Sequence, residues 1–570
     1  MIFLNEDILK YIVSEFFYTK DIIDIKSSHS LFNIEPYQLN FETNENVKLI
    51  ENNQIKTYSF DHFDFPKDNQ IISNFSSKIK IKTLIINEID CCQKLKTYLE
   101  NLPRDIEHIE FKNKFNFLFP TKSFNKLKSI KFNHQYNSIL PENLPSTLKQ
   151  IEFGFYYNQP LPKNLPPSLE QIIFNTKYNH SLPENLPSNL KKIKFGNDYN
   201  HPLPTNLPEN LHTIIFGEKY DHEFPHNLPK SIKHIEFGYN FNKPVPENLT
   251  QEFDSLMFCN MSKYNLKLPK TLPKTLKKIR FGELYNEQLP EKLPNALETI
   301  RFGYSYNLKL PDTLPQSLKR ICFGDKYNKP LPTNLSQSLE HLKFGFSYNH
   351  ALNSTLPKSL KILVFGVCYN QPLPENLPQS LEELIFLGKY NHPLPKKLPP
   401  KLKCIQFGNK YNYPLPENLP DTIERLGFGK NYNQCLPDHL PNSLKELYFG
   451  SKYNKLLPEN LPNALKYIIF GNHYNKPLPN NLPSSLEQIE FSRKFNQSLP
   501  ENLPQKLQDI RFGDCYDKLL PENLPSSLEN IKIPKRNAHK ILGNRYKNIE
   551  NCLWKKDEKL NIVINAYLKW

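Results

Sequence analysis

The sequence has no run of about 18 apolar residues, so no part of it is long enough to cross a bilayer as a helix. Its first residues, Met1-Ile2-Phe3-Leu4-Asn5-Glu6-Asp7, place acid where a secretory leader carries Lys or Arg, and no apolar segment follows. An intracellular location, cytoplasmic or nuclear, and no membrane partner are expected. Cysteine is sparse: nine residues, at 91, 92, 259, 322, 368, 404, 435, 515 and 552, odd in number and without a C-x-x-C pair. That spacing gives neither a disulfide framework nor a zinc site, and reads as reduced structural thiols. Catalytic signatures are missing as well, with no phosphate-cradling glycine loop, no H-E-x-x-H and no G-x-S-x-G. Neither enzymatic activity nor a cofactor is expected. Glycine is scarce, 17 residues against 50 prolines.

Proline-rich chains that stay disordered lack aromatics, but this chain carries 39 Phe and 30 Tyr, enough to pack a core. The aromatics are periodic. The dipeptide Tyr-Asn, with Phe for Tyr or Asp for Asn, begins at Phe115, Tyr136, Tyr157, Tyr178, Tyr199, Tyr220 and Phe241. It continues at Tyr264, Tyr285, Tyr306, Tyr327, Tyr348, Tyr369, Tyr390, Tyr411, Tyr432, Tyr453, Tyr474, Phe495 and Tyr516. Every step is 21 residues except one of 23, between Phe241 and Tyr264. A fixed period of this length marks a solenoid, which grows by adding coils to a stack.

One coil, Leu140 to Pro160, gives the local structure. Gln150-Ile151-Glu152-Phe153 alternates polar and apolar, the pattern of a short half-buried strand. Gly154 then supplies backbone freedom to leave the strand. The Leu-Pro-x-x-Leu-Pro stretch cannot be helical, since each Pro lacks an N–H and biases its predecessor to extended geometry. It is expected to return as polyproline-like or turn segments along the outside of the coil. The recurring Asn both donates and accepts, and so can satisfy turn backbone from coil to coil. Because Phe237 to Phe258 is still 21 residues, the two extra residues of the long step are placed after Phe258, in the turn. A single coil buries too little apolar surface to order itself, so stability must come from stacking.

The unit Leu-Pro-x-x-Leu-Pro-x-x-Leu-x-x-Ile-x-Phe-Gly-x-x-Tyr-Asn resembles the FNIP repeat, a leucine-rich-repeat variant, with Tyr-Asn mostly replacing its Phe-Asn. The resemblance implies a leucine-rich-repeat-like solenoid of about twenty 21-residue coils, with a parallel β-sheet, extended Pro-rich returns and a protein-binding role. A small α-helical module is expected ahead of it. Residues 1–40 space Ile8, Leu9, Ile12 and Phe16 helically, with Asn5 as N-cap and Glu6 and Asp7 at the positive end of the dipole. A second short helix is expected from Asp21 to Phe32. This segment resembles an F-box: Leu4, Ile8, Leu9, Ile12, Phe16, Ile22 and Ile23 match, with Asn5 where that motif has Pro. That resemblance implies docking of a Skp-type adaptor through those seven residues. The repeats would then be the substrate receptor of a cullin-RING (SCF-type) ubiquitin ligase. The alternative is a plain N-terminal cap on a stand-alone protein-binding scaffold. The expected boundaries are 1–40 for the helical module, 41–100 for an irregular linker and cap in which Lys80 to Ile86 reads as a first, imperfect strand, 101–533 for the repeats and 534–570 for a C-terminal cap.

Positions equivalent to Gln150 and Glu152 face outward from the strand, and their sequence along the array is a surface map. In the middle it reads Lys278, Arg280, Arg301, Arg320, His341 and Lys343, without Asp or Glu. Ile362, Val364 and Ile385 follow, interrupted by Glu383; Tyr448, Tyr467 and Ile469 form a second patch further on. The basic run is the candidate partner-binding face, suited to an acidic or phosphorylated protein segment. The formal charge of +15 also raises a nucleic-acid-binding solenoid as an alternative. No aromatics interleave with the basic positions, so base stacking is not expected and nucleic acid is the weaker reading. No obligate homo-oligomer is expected.

Overall fold

The computed structural model describes residues 57–60, 83–86, 106–543 with short gaps at 113–114, 121–123, 226–227, 248, 250–252 and 353–355, and 561–565. These fall into two units, Met1–Tyr157 and Asn158–Trp570. In the first, strands Thr57–Phe60, Thr83–Ile86, His108–Phe111, Ser129–Lys131 and Gln150–Glu152 pair in chain order, all parallel. The first two lie within residues 41–100: Thr83–Ile86 falls where the sequence suggests a first, imperfect strand, and Thr57–Phe60 extends the ladder upstream of it. The expected N-terminal helices lie outside the described residues.

In the second unit the ladder runs from Gln171–Ile173 to Asn530–Pro534, again parallel between sequence neighbours. Each strand is three to five residues long, one per coil, with its central Ile or Leu buried. A parallel β-solenoid of coils of about 21 residues is therefore the fold. Ser255 pairs with His234 on one side and Lys278 on the other, so the sheet keeps its register through the long step. The two extra residues sit in the turn after Phe258, where buried Ser262 donates its N–H to the Cys259 carbonyl at 3.0 Å.

The interior is a double aromatic ladder. Within a coil Phe302 stacks on Tyr306 at 4.0 Å; between coils Phe302 meets Phe323 at 5.5 Å and Tyr306 meets Tyr327 at 6.1 Å. The same pairs recur in the neighbouring coils because an offset-stacked ring fits over a copy of itself. At the surface a second ladder runs parallel to it. Each Asn Oδ1 accepts the backbone N–H of the Asn one coil later, as in Asn286 to Asn307 at 2.8 Å and Asn307 to Asn328 at 2.9 Å.

Two local expectations are corrected. The repeat glycines do not use a conformation closed to other residues: only Gly543 has positive φ, at 55°. They are glycines because coils touch there. A Cβ added to Gly324 would overlap the carbonyl of Gly303, and one on Gly303 that of Gly282. The second proline of each return is also not outside. Pro294 and Pro315 are buried, and their carbonyls accept the N–H of Leu297 at 3.0 Å and of Leu318 at 3.1 Å. Each closes a four-residue turn that aims the Leu inward. Near the C-terminus, a 3-10 turn Lys535–Asn537 leads into a short helix, Ala538–Leu542, whose Ala538, Ile541 and Leu542 are buried. Strand Asn561–Asn565 then pairs with Asn530–Pro534. Among the described residues no helix is long and apolar enough to cross a membrane.

Candidate binding surface on the strand face

Strand register brings the outward residues of successive coils side by side. One column reads Lys278, Thr299, Arg320, His341, Ile362, Glu383, and the column beside it Arg280, Arg301, Cys322, Lys343, Val364, Ile385. At about 4.8 Å between strands these are direct neighbours. The structure thus brings together the six basic-face residues named from the sequence. Lys278 and Arg320 are exposed, and the other four are half-buried.

Their electrostatics are not uniform. Arg280 is already engaged: its Nη2 lies 2.6 Å from Glu236 Oε1, two strands back, and its Nε donates to the Phe258 carbonyl at 3.1 Å. Arg320 instead stands against His341, Nη2 to Nε2 3.5 Å, and has no carboxylate partner among the described residues. Further along, Arg425 grips Glu446 with two bonds of 2.6 and 3.2 Å, and Tyr448 donates to the same carboxylate at 2.8 Å. Tyr467 donates to Glu487 at 2.9 Å. The second patch of the sequence map is therefore less apolar than its residue names suggest.

Two features were missed from sequence. From Asp254 to Lys445 the residue before the strand alternates in sign from coil to coil, giving ion pairs Lys319–Glu298 at 3.3 Å, Lys361–Glu340 at 3.2 Å, Lys403–Glu382 at 2.8 Å and Lys445–Glu424 at 2.8 Å. This alternation has a period of two coils, and reading the position before the strand as a third column would have found it. The other is an apolar turn ridge beside the basic columns: Leu284, Tyr304 and Phe346 are exposed, with Lys326 over the Tyr304 ring at 5.2 Å.

Burial pushes the Cys404 thiol up to about 12 and Cys259 to about 11, which keeps both protonated and weakly nucleophilic. No group of three or more His, Cys, Asp or Glu suited to a metal occurs among the described residues. The adaptor-docking candidates Leu4, Ile8, Leu9, Ile12, Phe16, Ile22 and Ile23 lie outside the described residues.

One strand per coil, parallel pairing and a buried Leu/Ile/Phe core define a leucine-rich-repeat-type solenoid, a repeat scaffold. The family model described as the FNIP repeat matches residues 157–198, 178–219, 199–238, 220–248, 285–326, 327–368, 348–389, 411–452, 453–494 and 495–536. These segments cover more than half of the sequence, and the chain belongs to the FNIP-repeat family. Among solved structures, CroV588, described as a novel circular LRR protein structure, is 26% identical with a TM-score of 0.54, over 88% of this chain and 97% of that one. YopM from Yersinia enterocolitica WA-314 is 22% identical with a TM-score of 0.49, over 77% of this chain and 94% of that one. No curated protein matches the chain.

Proposed function

We propose that this protein binds a partner protein on its strand face, with the basic columns from Lys278 to Lys343 as the contact. One observation carries the reading. Four successive coils present Lys278, Arg280, Arg301, Arg320, His341 and Lys343 without an intervening carboxylate, and an apolar step at Ile362, Val364 and Ile385 adjoins them. Basic residues on a fixed lattice favour an acidic segment, and the apolar step adds area from which water can be excluded. Reversing Arg301, Arg320 and Lys343 to Glu should abolish capture of an acidic partner without lowering the melting temperature. Undiminished capture would remove the face from consideration.

The finer reading is that the chain is the substrate-recognition subunit of an SCF-type cullin-RING ligase. Residues 1–40 would dock a Skp-type adaptor, residues 101–533 would hold the target, and 41–100 and 534–570 would cap the stack. The protein would work inside the cell and without catalysis of its own. The F-box-like pattern of Leu4, Ile8, Leu9, Ile12, Phe16, Ile22 and Ile23 supports it. Mixing the full chain with a purified Skp-type adaptor tests it. Binding lost in the Ile8→Asp, Leu9→Asp, Ile12→Asp variant is the expected result, and absence of binding by the unaltered chain leaves a stand-alone scaffold.

A further inference from the structure

The charge ladder beside the strand face decides which surface charges are left over. Lys319 and Lys361 take Glu298 and Glu340, the two carboxylates that flank Arg320 in the neighbouring column. On the other side of the apolar step, Lys403 takes Glu382 and Arg425 takes Glu446. Those pairings commit the cations nearest to Glu383. Its half-buried carboxylate has no ion-pair or hydrogen-bond partner among the described residues. Burial holds it above the usual carboxylate range, with Arg425 and Lys403 acting against that and Glu382 with it. Cys404, the next residue in the same column, is a protonated thiol and supplies no charge.

Arg320 and Glu383 are thus unmatched charges of opposite sign in one column, and Ile362 lies between them beside Val364 and Ile385. They stand three strands apart, about 14 Å, too far to pair with each other. An extended peptide advances about 3.3 Å per residue, so about four residues bridge that gap.

We propose that the strand face recognises an extended segment of a partner protein that carries an acid and a base about four residues apart with apolar residues between them. The acid meets Arg320 beside His341, the apolar residues lie on Ile362, Val364 and Ile385, and the base meets Glu383. The proposal rests on the strand-face reading above and adds to it a polarity and a spacing. A surface that wanted acid alone would gain nothing from Glu383, whose unpaired carboxylate repels an acidic ligand. A cation delivered to Glu383 by the ligand removes that penalty.

A display library of random twelve-residue peptides, selected on immobilised full-length protein, tests it. The enriched peptides should carry Asp or Glu about four positions from Lys or Arg, with Leu, Ile, Val or Phe between. A synthetic copy of one should bind about tenfold more weakly to Arg320→Glu and to Glu383→Arg, the loss of one ion pair each. The double variant Arg320→Glu with Glu383→Arg should regain affinity, because the peptide can run the other way along the column. That recovery cannot come from a folding defect. Enriched peptides that are acidic without a spaced base, with binding unaltered by Glu383→Gln, would overturn this proposal and leave the acidic-partner reading standing. If nothing is enriched, or Arg320→Glu changes nothing, both readings fall.

Discussion

Between Lys278 and Phe344 the interior and the strand face come from the same coils and follow opposite rules. Inside, Phe281, Phe302, Phe323 and Phe344 alternate with Tyr285, Tyr306 and Tyr327, the same residue type at the same place in each coil. Outside, one column reads Lys278, Thr299, Arg320 and His341, a different residue type in each coil. The interior is monotonous because each side chain packs on its own copy one coil away, so only a residue that fits itself is accepted. Outward positions meet solvent, and the stack places no such condition on them. Repetition therefore marks what holds the solenoid together, and departure from repetition marks where a partner can be specified.

That comparison can be broken most severely at the glycine column. In Gly324→Val the new Cβ and its methyls would overlap the Gly303 carbonyl, and neither backbone can retreat without separating two strands. A loss of more than about 4 kcal/mol is expected, from strain and lost ladder bonds together. Hydrogen exchange should show protection lost in the coils on both sides. Arg320→Thr, in the same coil but on the face, should change stability by less than about 0.5 kcal/mol. Equal effects of the two would erase the distinction.

Tyr306→Ala comes next. It removes a ring that stacks on Phe302 at 4.0 Å and on Tyr285 and Tyr327 at 6.1 Å each. A cost of about 3–5 kcal/mol is expected from a buried aromatic cut to Ala, read as a lower urea midpoint. Asn307→Ala should cost less, about 1 kcal/mol, since it takes one acceptor from the Asn328 N–H. Asn307→Asp keeps the acceptor and should recover most of that loss, as Asp221 already fills this role toward Asn242 at 3.0 Å.

How much of this the residues disclosed follows from the same distinction. Period, strand position, inward faces, the Asn ladder and the place of the two-residue insertion were all legible, because each repeats and averages out local noise. The role of the glycines was misjudged because single-coil reasoning knows only φ and ψ, whereas the constraint at Gly324 comes from another coil. Pro294 and Pro315 were placed outside with the rest of the return because, within one coil, the missing N–H and extended bias of proline exclude helix without showing which side faces in. The four-residue turns that aim Leu297 and Leu318 inward bury them. On the strand face the six basic residues were found, but their inequality was not. That Arg280 is neutralised by Glu236 and Arg320 is not depends on rotamers reaching across strands, which a column of letters does not contain. The strands at Thr57–Phe60 and Asn561–Asn565 lie outside the Tyr-Asn period and had no such signal.

The smallest expected effect separates packing from hydrogen bonding within the aromatic ladder. The Tyr306 hydroxyl is buried without a hydrogen-bond partner, and burial pushes its phenol well above the ordinary range, so it stays neutral at any pH the fold survives. Such a group contributes its ring and carries an uncompensated desolvation cost. Phe115, Phe241 and Phe495 occupy the same position in other coils. Tyr306→Phe should therefore leave stability unchanged or raise it by up to about 1 kcal/mol. Tyr390 differs, because its hydroxyl donates to the Pro393 carbonyl at 3.2 Å. Tyr390→Phe leaves that carbonyl without its donor and should cost up to about 1 kcal/mol. Paired urea titrations of the two variants read the sign directly. Losses of equal size in both would mean that the ladder holds its hydroxyls alike, and that ring stacking is not the sole contribution of Tyr306.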